Sequence, residues 1–157
     1  MLLAEALALR ADRQKRLKEL TARIQDNARV PQGIAPDEDP NELLARASAV
    51  AAELNDLIQK INRTNAATVA DSATGASVSD LIADRDQAQR MTQLYRTAAQ
   101  AGTRGTGRGF LSRDAESLTR AAVDVAGLQT EADRWAGRYL EIDVRLQQLN
   151  WGTELSG

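Results

Sequence analysis

The stretch that decides the fold is residues 39–61, DPNELLARASAVAAELNDLIQKI. Its apolar side chains recur in alternating steps of four and three residues, the spacing of a heptad seam on one helix face: Leu43, Ala47, Val50, Leu54, Leu57 and Ile61. Leu44, Ala51 and Ile58 widen the seam into the broad stripe of a helix that is buried on more than one side. The pattern therefore predicts a helix bundle rather than a two-stranded coiled coil.

The same helix (helix 2) has a clear beginning. Asp39 stands at the position of an N-cap, Pro40 at the first helical position and Glu42 at the third. An Asp cap followed by an acidic residue at that spacing predicts a capping box, and proline is well tolerated where the helix begins.

Three more helices are predicted on either side of this stretch. Helix 1 runs from about residue 2 to residue 28, helix 3 from about 78 to 101, and helix 4 from about 125 to 149. Helix 4 carries a second heptad seam, formed by Leu128, Ala132, Trp135, Tyr139, Ile142, Leu146 and Leu149. Loops are predicted at residues 29–40, which hold all three prolines, and at the small-residue turn 71–77.

Helices of this length extend about 35 Å at a rise of about 1.5 Å per residue. Helix 1 paired with helix 2, and helix 3 paired with helix 4, stack most simply into an all-α, four-helix up-down antiparallel bundle. We expect residues 1–157 to form one domain, with a Gly-rich loop from Gly102 to Gly109 between helices 3 and 4. Residues 102–123 are a candidate irregular arm, whose second part fits a short helix or an extended excursion.

Composition excludes several kinds of chemistry. The chain has no cysteine and no histidine, so it lacks thiolates, the commonest general base and the commonest transition-metal ligand. Its formal net charge of −2 gives no overall attraction to nucleic acid or anionic membranes. We expect a non-enzymatic protein with no cofactor and no bound metal, and neither a nucleic-acid nor a membrane partner.

The amino terminus, MLLAEALALR, is apolar but does not resemble a signal peptide. It has no basic start, and Glu5 interrupts the apolar run. No stretch approaches the roughly 18 apolar residues that cross a bilayer. These features favour a cytoplasmic location.

Polar residues on three helices predict one polar layer. Arg10 and Arg13 occupy positions of the helix 1 seam, and folding helix 2 back brings residues 59–62 level with Arg10. Folding helix 3 back brings its polar middle to roughly the same height. The candidate layer consists of Arg10, Asn62, Arg63, Thr64, Asn65, Arg85 and Asp86.

Two interpretations of this layer stay open. A buried arginine needs carboxylate or other oxygen acceptors, so the layer fits a network that fixes the helix register. Alternatively, its arginines hold a small anion or polar ligand. An all-oxygen Mg²⁺ site formed by Asp84, Asp86 and Asp143 is a further alternative.

Two other features have a structural and a functional interpretation. Arg104, Arg108 and Arg113 in and after the Gly-rich loop fit a flexible linker or, with Phe110, a nucleic-acid contact. Trp135 and Tyr139 lie one turn apart on a heptad seam, which favours the core over a ligand cage. Trp151 is predicted to dock the carboxyl-terminal tail against the end of the bundle.

Four segments of the chain carry a resemblance. They resemble a family of small bacterial helical proteins and comprise residues 3–16, Ile61 to Ala66, Val123 to Gln129 and Leu149 to Leu155. Its members are often labelled septicolysin and are otherwise of unknown function. The most specific parts are Asn-Arg-Thr-Asn at 62–65 and the terminal Asn-Trp. The label implies a pore-forming toxin.

The first hypothesis for function is a protein that self-associates, as a homo-oligomer, or binds a protein partner. It rests on two heptad seams, long helices and few residues suited to catalysis. The alternative is a bundle that binds a small polar ligand or anion through the polar layer. Membrane lysis follows from the septicolysin label alone.

Overall fold

The computed structural model describes residues 1–103 and 120–157. In these ranges the chain forms α1 (Leu3–Asn27), α2 (Pro40–Ala67), β1 (Val69–Asp71), β2 (Ala76–Ser77), α3 (Val78–Thr103) and α4 (Val125–Gly152). The predicted all-α class is confirmed, with the addition of one small two-stranded sheet. Most of the predicted Gly-rich loop and irregular arm lies outside the described residues.

The chain divides into two compact units. Unit 1 comprises Met1–Val78 and Gln148–Gly157, and unit 2 comprises Ser79–Gln147. Unit 1 contains the predicted hairpin of α1 and α2, and unit 2 contains nearly all of α3 and most of α4. The up-down stacking of the two hairpins, and the single domain over residues 1–157, stay predictions.

Two apolar clusters hold α1 against α2 in unit 1. Near the open end of the hairpin, Leu3, Ala6, Leu57 and Ile61 pack together, with Leu155 of the tail against them. Near the closed end, a second cluster joins Leu20, Leu43 and Ala47. The most deeply buried leucines of the two clusters are Leu3, Leu20 and Leu43, at 0–2% exposure. Burial of such apolar side chains stabilises the pairing of the two helices.

The beginning of α2 confirms the predicted cap and corrects the predicted box. The Oδ1 of Asp39 accepts a hydrogen bond from the backbone N–H of Asn41 at 2.8 Å, and Pro40 occupies the first helical position. The Glu42 carboxylate lies beside Arg46, one turn further on, at 3.5 Å. An exposed carboxylate at this position has an (i, i+4) cation as an alternative partner.

The loop between α1 and α2 is fastened at its base by Glu38. Its backbone N–H donates to Oδ1 of Asn27 at 3.0 Å, and its carboxylate accepts two hydrogen bonds from the Arg23 guanidinium. The hydrogen bond from Arg23 lowers the pKa of Glu38 below its ordinary value. This clamp brings the two helix ends together and allows residues between them, including Ile34 at 62% exposure, to project into solvent.

The predicted small-residue turn is the turn of a β-hairpin. β1 and β2 pair antiparallel, and Gly75 has a φ of +74°, a conformation that favours glycine. Asp71 fixes the turn, because its carboxylate accepts from the Ala73 N–H at 2.9 Å and the Thr74 hydroxyl at 2.8 Å. Strands of two and three residues are too short to show a period-2 pattern, so they could not be predicted from apolar spacing.

Unit 2 contains buried small residues on both of its helices. Ala88 and Ala99 on α3 and Ala132 on α4 are at most 2% exposed. At the end of α3, a Cβ placed on Gly102 would lie 2.8 Å from a methyl group of Val123 and 2.8 Å from one of Val125. The end of α3 therefore touches the start of α4, as an antiparallel hairpin requires.

Candidate functional site

Thr64 is the member of the predicted polar layer that is fully buried, at 1% exposure. Its hydroxyl donates to the carbonyl oxygen of Lys60 at 2.8 Å and accepts from the backbone N–H of Ser156 at 2.9 Å. Both hydrogen-bonding roles of this hydroxyl are thereby used within unit 1. Thr64 joins the end of α2 to the carboxyl-terminal tail.

The two ends of the chain also pair directly with each other. The Leu3 N–H donates to the Thr153 carbonyl at 2.8 Å, the Leu155 N–H donates to the Met1 carbonyl at 2.9 Å, and Leu2 forms an antiparallel bridge with Glu154. We call Met1 to Leu3, Thr64 and Thr153 to Ser156 the terminal clasp. It brings together three of the four segments that carry the resemblance, and it gives them a structural role.

The residues on either side of Thr64 have different surroundings. Asn62 and Arg63 are exposed, whereas Asn65 is partly buried. The Oδ1 of Asn65 is inaccessible to water and has no hydrogen-bond partner among the described residues. Asn65 therefore has an unfilled acceptor, while Asn62 and Arg63 lie on the solvated side of α2.

Arg10 does not lie level with residues 59–62 of α2, as was predicted from the sequence. Arg13 pairs with Glu53 at 3.0 Å, and Leu3 and Ala6 pack with Leu57 and Ile61. The Arg13–Glu53 pair places Arg10 near the level of Asp56, and residues 59–62 lie about one turn beyond that point. The pairing of α1 with α2 was predicted from the sequence, but this register was not, because the length of the loop alone does not determine it. The Nε of Arg10 is buried without a partner among the described residues.

Arg85 and Asp86 form an ion-pair group with α4 in unit 2. The Arg85 guanidinium lies 2.8 Å from Oδ1 of Asp86 and 3.8 Å from Oδ1 of Asp143. The guanidinium therefore lies between the carboxylates of Asp86 and Asp143, where the predicted Mg²⁺ site would place a metal ion. Among residues 1–103 and 120–157, no group of three or more potential ligands is arranged to hold a metal ion.

The outer face of α4 was not predicted as a site. Leu140, Val144 and Trp151 are 61%, 49% and 63% exposed. Steps of four and seven residues place all three on one face of the helix, opposite the buried Ile142 and Leu146. This set, which we call the α4 outer face, was visible in the sequence as a second apolar spacing. The stronger heptad seam obscured it.

The position of Trp151 corrects a prediction. Its indole does not dock the tail, and the apolar contact of the tail with unit 1 is made instead by Leu155. The helix continues to Gly152, so Trp151 keeps the orientation of a helical residue and faces outward. Trp135 and Tyr139 are partly buried, in keeping with their predicted place on the seam, and the Arg138 guanidinium lies 5.9 Å from the Trp135 ring centre.

Comparison with known proteins gives a family and a fold relative. Residues 10–155 match the model of a family of unknown function, DUF6847. The chain is also similar to a functionally unknown conserved protein from Corynebacterium diphtheriae, known from its crystal structure. The two are 35% identical over 99% of each chain, with a TM-score of 0.92. No curated protein matches.

These matches support only part of the predicted resemblance. The description of the family and that of the Corynebacterium protein both state an unknown function, and neither carries the septicolysin label. The family match covers nearly the whole length of the chain. It includes two parts of the terminal clasp, Thr64 and the residues from Thr153 to Leu155. The chain belongs to the family of unknown function DUF6847.

Proposed function

We propose that this chain is a non-enzymatic, cytoplasmic helical protein that acts through self-association of the α4 outer face. The observation that carries the proposal is the exposure of Leu140, Val144 and Trp151, each about half or more, on one side of one helix. Single exposed apolar residues are common on protein surfaces, but an aligned set is characteristic of interfaces. The absence of cysteine and histidine is consistent with a role without catalysis.

The occupant that best fits this face is a second copy of the same chain. Two copies of α4 packed antiparallel about a two-fold axis at Val144 place Gly137 of one copy opposite Trp151 of the other. A Cβ added to Gly137 would meet no atom within 4 Å, so the surface there is open. The glycine leaves room for the indole, and the two Val144 side chains meet at the axis.

The expected affinity is modest. Burying Leu140, Val144 and Trp151 on both copies contributes roughly 5–10 kcal/mol, given that each is already partly covered. Lost translational and rotational freedom and side-chain ordering cost about 4–15 kcal/mol. At the favourable end of both ranges the net gain is about 6 kcal/mol, so the proposal predicts a dimer with a Kd of roughly tens of micromolar.

Sedimentation velocity over a range of concentrations tests the proposal. The variant Leu140→Glu places two carboxylates in the interface and is expected to shift the chain fully to monomer. Leu94→Glu is the matched control, because Leu94 on α3 is 59% exposed and lies off the α4 outer face. A wild-type chain that sediments as a monomer at 100-micromolar concentration, on the order of the weakest expected affinity, would refute self-association.

A second candidate function is binding of a small polar ligand or anion through the predicted layer. The observation in its favour is that Arg10 Nε and Asn65 Oδ1 are buried without partners among the described residues. Replacing Arg10 with Met distinguishes the two interpretations of the layer. A ligand site is expected to give a variant with a raised melting temperature and no bound small molecule in native mass spectrometry, whereas a register-fixing network gives a lower melting temperature.

Membrane lysis, implied by the septicolysin label, is not supported by an observation on the described residues. In the described part of the chain, no helix has the length and apolar character needed to cross a bilayer. A dye-leakage assay with liposomes and micromolar protein tests it. Release of the dye would restore the label as a guide to function.

A further inference from the structure

A polar groove of about 660 Å³ lies along α3 and α4 within unit 2. One wall presents Asp86, Gln89, Arg90 and Arg96 of α3, and Ala136 and Tyr139 of α4 lie on the other side. This volume is within the range of sites for small organic molecules, about 300–1,000 Å³. The groove adjoins the α4 outer face, because Ala136 is four residues from Leu140 and lies on the same side of α4. Tyr139 is turned by about 100° from Leu140 and faces the groove.

The charges in the groove do not cancel. Asp86 is already held by Arg85, through Nε at 3.1 Å and Nη2 at 2.8 Å. Arg90 and Arg96 have no ion-pair partner among the described residues. The groove is therefore locally positive, although the whole chain carries a formal net charge of −2.

The arginines of the groove differ from those that form ion pairs elsewhere in the chain. Arg13 and Arg23 each have a carboxylate partner, at 3.0 Å and in a two-bond contact respectively. Such pairs neutralise surface guanidiniums locally and leave little potential for a ligand. Two unpaired guanidiniums on one groove wall keep their donors available for an incoming anion.

The uncharged lining suits a ligand with an organic part. The Gln89 side-chain amide is exposed at the rim, and the partly buried Tyr139 ring and the Ala136 methyl form an apolar surface below it. Other polar groups there are already used within the helix, since the Thr92 hydroxyl donates to the Ala88 carbonyl at 2.8 Å. The ligand donors that remain are thus the guanidiniums of Arg90 and Arg96, the Gln89 amide and the Tyr139 hydroxyl.

We propose that this groove binds a small organic phosphate, with Arg90 and Arg96 as the phosphate ligands. The planar guanidinium forms paired hydrogen bonds with phosphate oxygens, which Lys or Gln does not match. Along α3 the two arginines are six residues apart, a rise of about 9 Å, so their forks approach a phosphate group from two sides. Tyr139 and Ala136 contact the organic part of the ligand.

Pyrophosphate is the probe for this proposal, titrated into the ¹⁵N-labelled full chain in buffer of physiological salt. We expect saturable shifts of the Gln89, Arg90 and Arg96 amide signals with a Kd below about 1 mM. In R90Q/R96Q the affinity is expected to fall at least about tenfold. Both arginines are exposed, so the variant should fold, which its melting curve verifies.

The matched control is R29Q/R63Q, which removes the same charge from two exposed arginines of unit 1. Its affinity for pyrophosphate is expected to stay within about twofold of the wild type, because the net charge of the chain has only a small effect at this salt concentration. Shifts that stay linear up to 10-millimolar pyrophosphate, on the order of non-specific ion binding, would overturn the proposal. Equal losses in the two double variants would overturn it as well.

Discussion

The hydroxyl oxygen of Thr64, near the end of α2, accepts a hydrogen bond from the backbone N–H of Ser156, one residue from the carboxyl terminus, at 2.9 Å. The two residues are 92 positions apart in the chain. This bond lies inside the packed end of unit 1, where Thr64 is 1% exposed. The last residues of the chain therefore belong to the folded unit and are not a free tail.

We predict that Thr64→Val lowers the free energy of unfolding by roughly 1–2 kcal/mol, because a valine methyl leaves the Ser156 N–H without its acceptor. Urea denaturation measures the effect. Thr21→Val is the control, since Thr21 makes the same bond to the carbonyl four residues earlier, at 2.8 Å, but is exposed and holds no tail. Equal effects of the two substitutions would mean that the tail contact contributes nothing.

The apolar part of the clasp gives a second prediction. Leu155 packs against the cluster of Leu3, Ala6, Leu57 and Ile61, so Leu155→Ala should destabilise the chain by about 1–3 kcal/mol. Leu94→Ala, at a 59% exposed site, should change stability by less than about 0.5 kcal/mol. Thermal melting of both variants checks the difference. A variant Leu155→Ala that melts with the wild type would contradict the packing.

The loop clamp predicts a specific pH dependence. The hydrogen bond from Arg23 lowers the pKa of Glu38 in the folded state. Its stabilising effect is therefore present above the unfolded value of 4.5 and is lost as the pH falls through the lower folded value. Glu38→Gln and Arg23→Gln should each remove this part of the pH dependence. Unfolding measured from neutral to acidic pH tests it, and an unchanged profile in both variants would exclude the clamp.

Two helical glycines should respond in opposite ways to replacement by alanine. Gly137→Ala should stabilise the isolated chain by about 0.5–1 kcal/mol, because alanine favours the helix and its Cβ meets open space. Gly102→Ala should show no gain, since its Cβ would press on methyl groups of Val123 and Val125 at 2.8 Å. Urea denaturation at low protein concentration compares the two variants. A gain at Gly102 as large as that at Gly137 would show that α3 and α4 are not in close contact there.

The sequence predicted the helices better than their surroundings. Long heptad patterns and the Asp39 cap placed α2 and the start of α4 correctly, because a helix is set by local spacing and capping. The β-hairpin at Val69 to Ser77 depends on a few hydrogen bonds around Asp71 and Gly75, and such short strands have no periodic signal. The predicted end of α4 was short because Gly152 remains helical.

The candidate site was harder to predict, because it depends on tertiary register. Thr64 was selected with its neighbours as part of a polar layer, but its partner Ser156 lies in a segment with no charge or motif to suggest a contact. Likewise, the level of Arg10 along α2 follows from the pairing of Arg13 with Glu53, and the spacing of residues within either helix does not determine that alignment. Exposure of Trp151 depends on which of two apolar faces of α4 is covered.

Cysteine cross-linking at Val144 tests the central claim most directly. The chain has no cysteine of its own, so Val144→Cys introduces a single thiol, placed at the expected two-fold axis of the dimer. Mild oxidation should convert this variant to a disulfide-linked dimer, whereas Leu94→Cys, at a site on α3 that is even more exposed, should stay monomeric. If Val144→Cys forms no more dimer than Leu94→Cys, the antiparallel pairing of α4 outer faces is wrong.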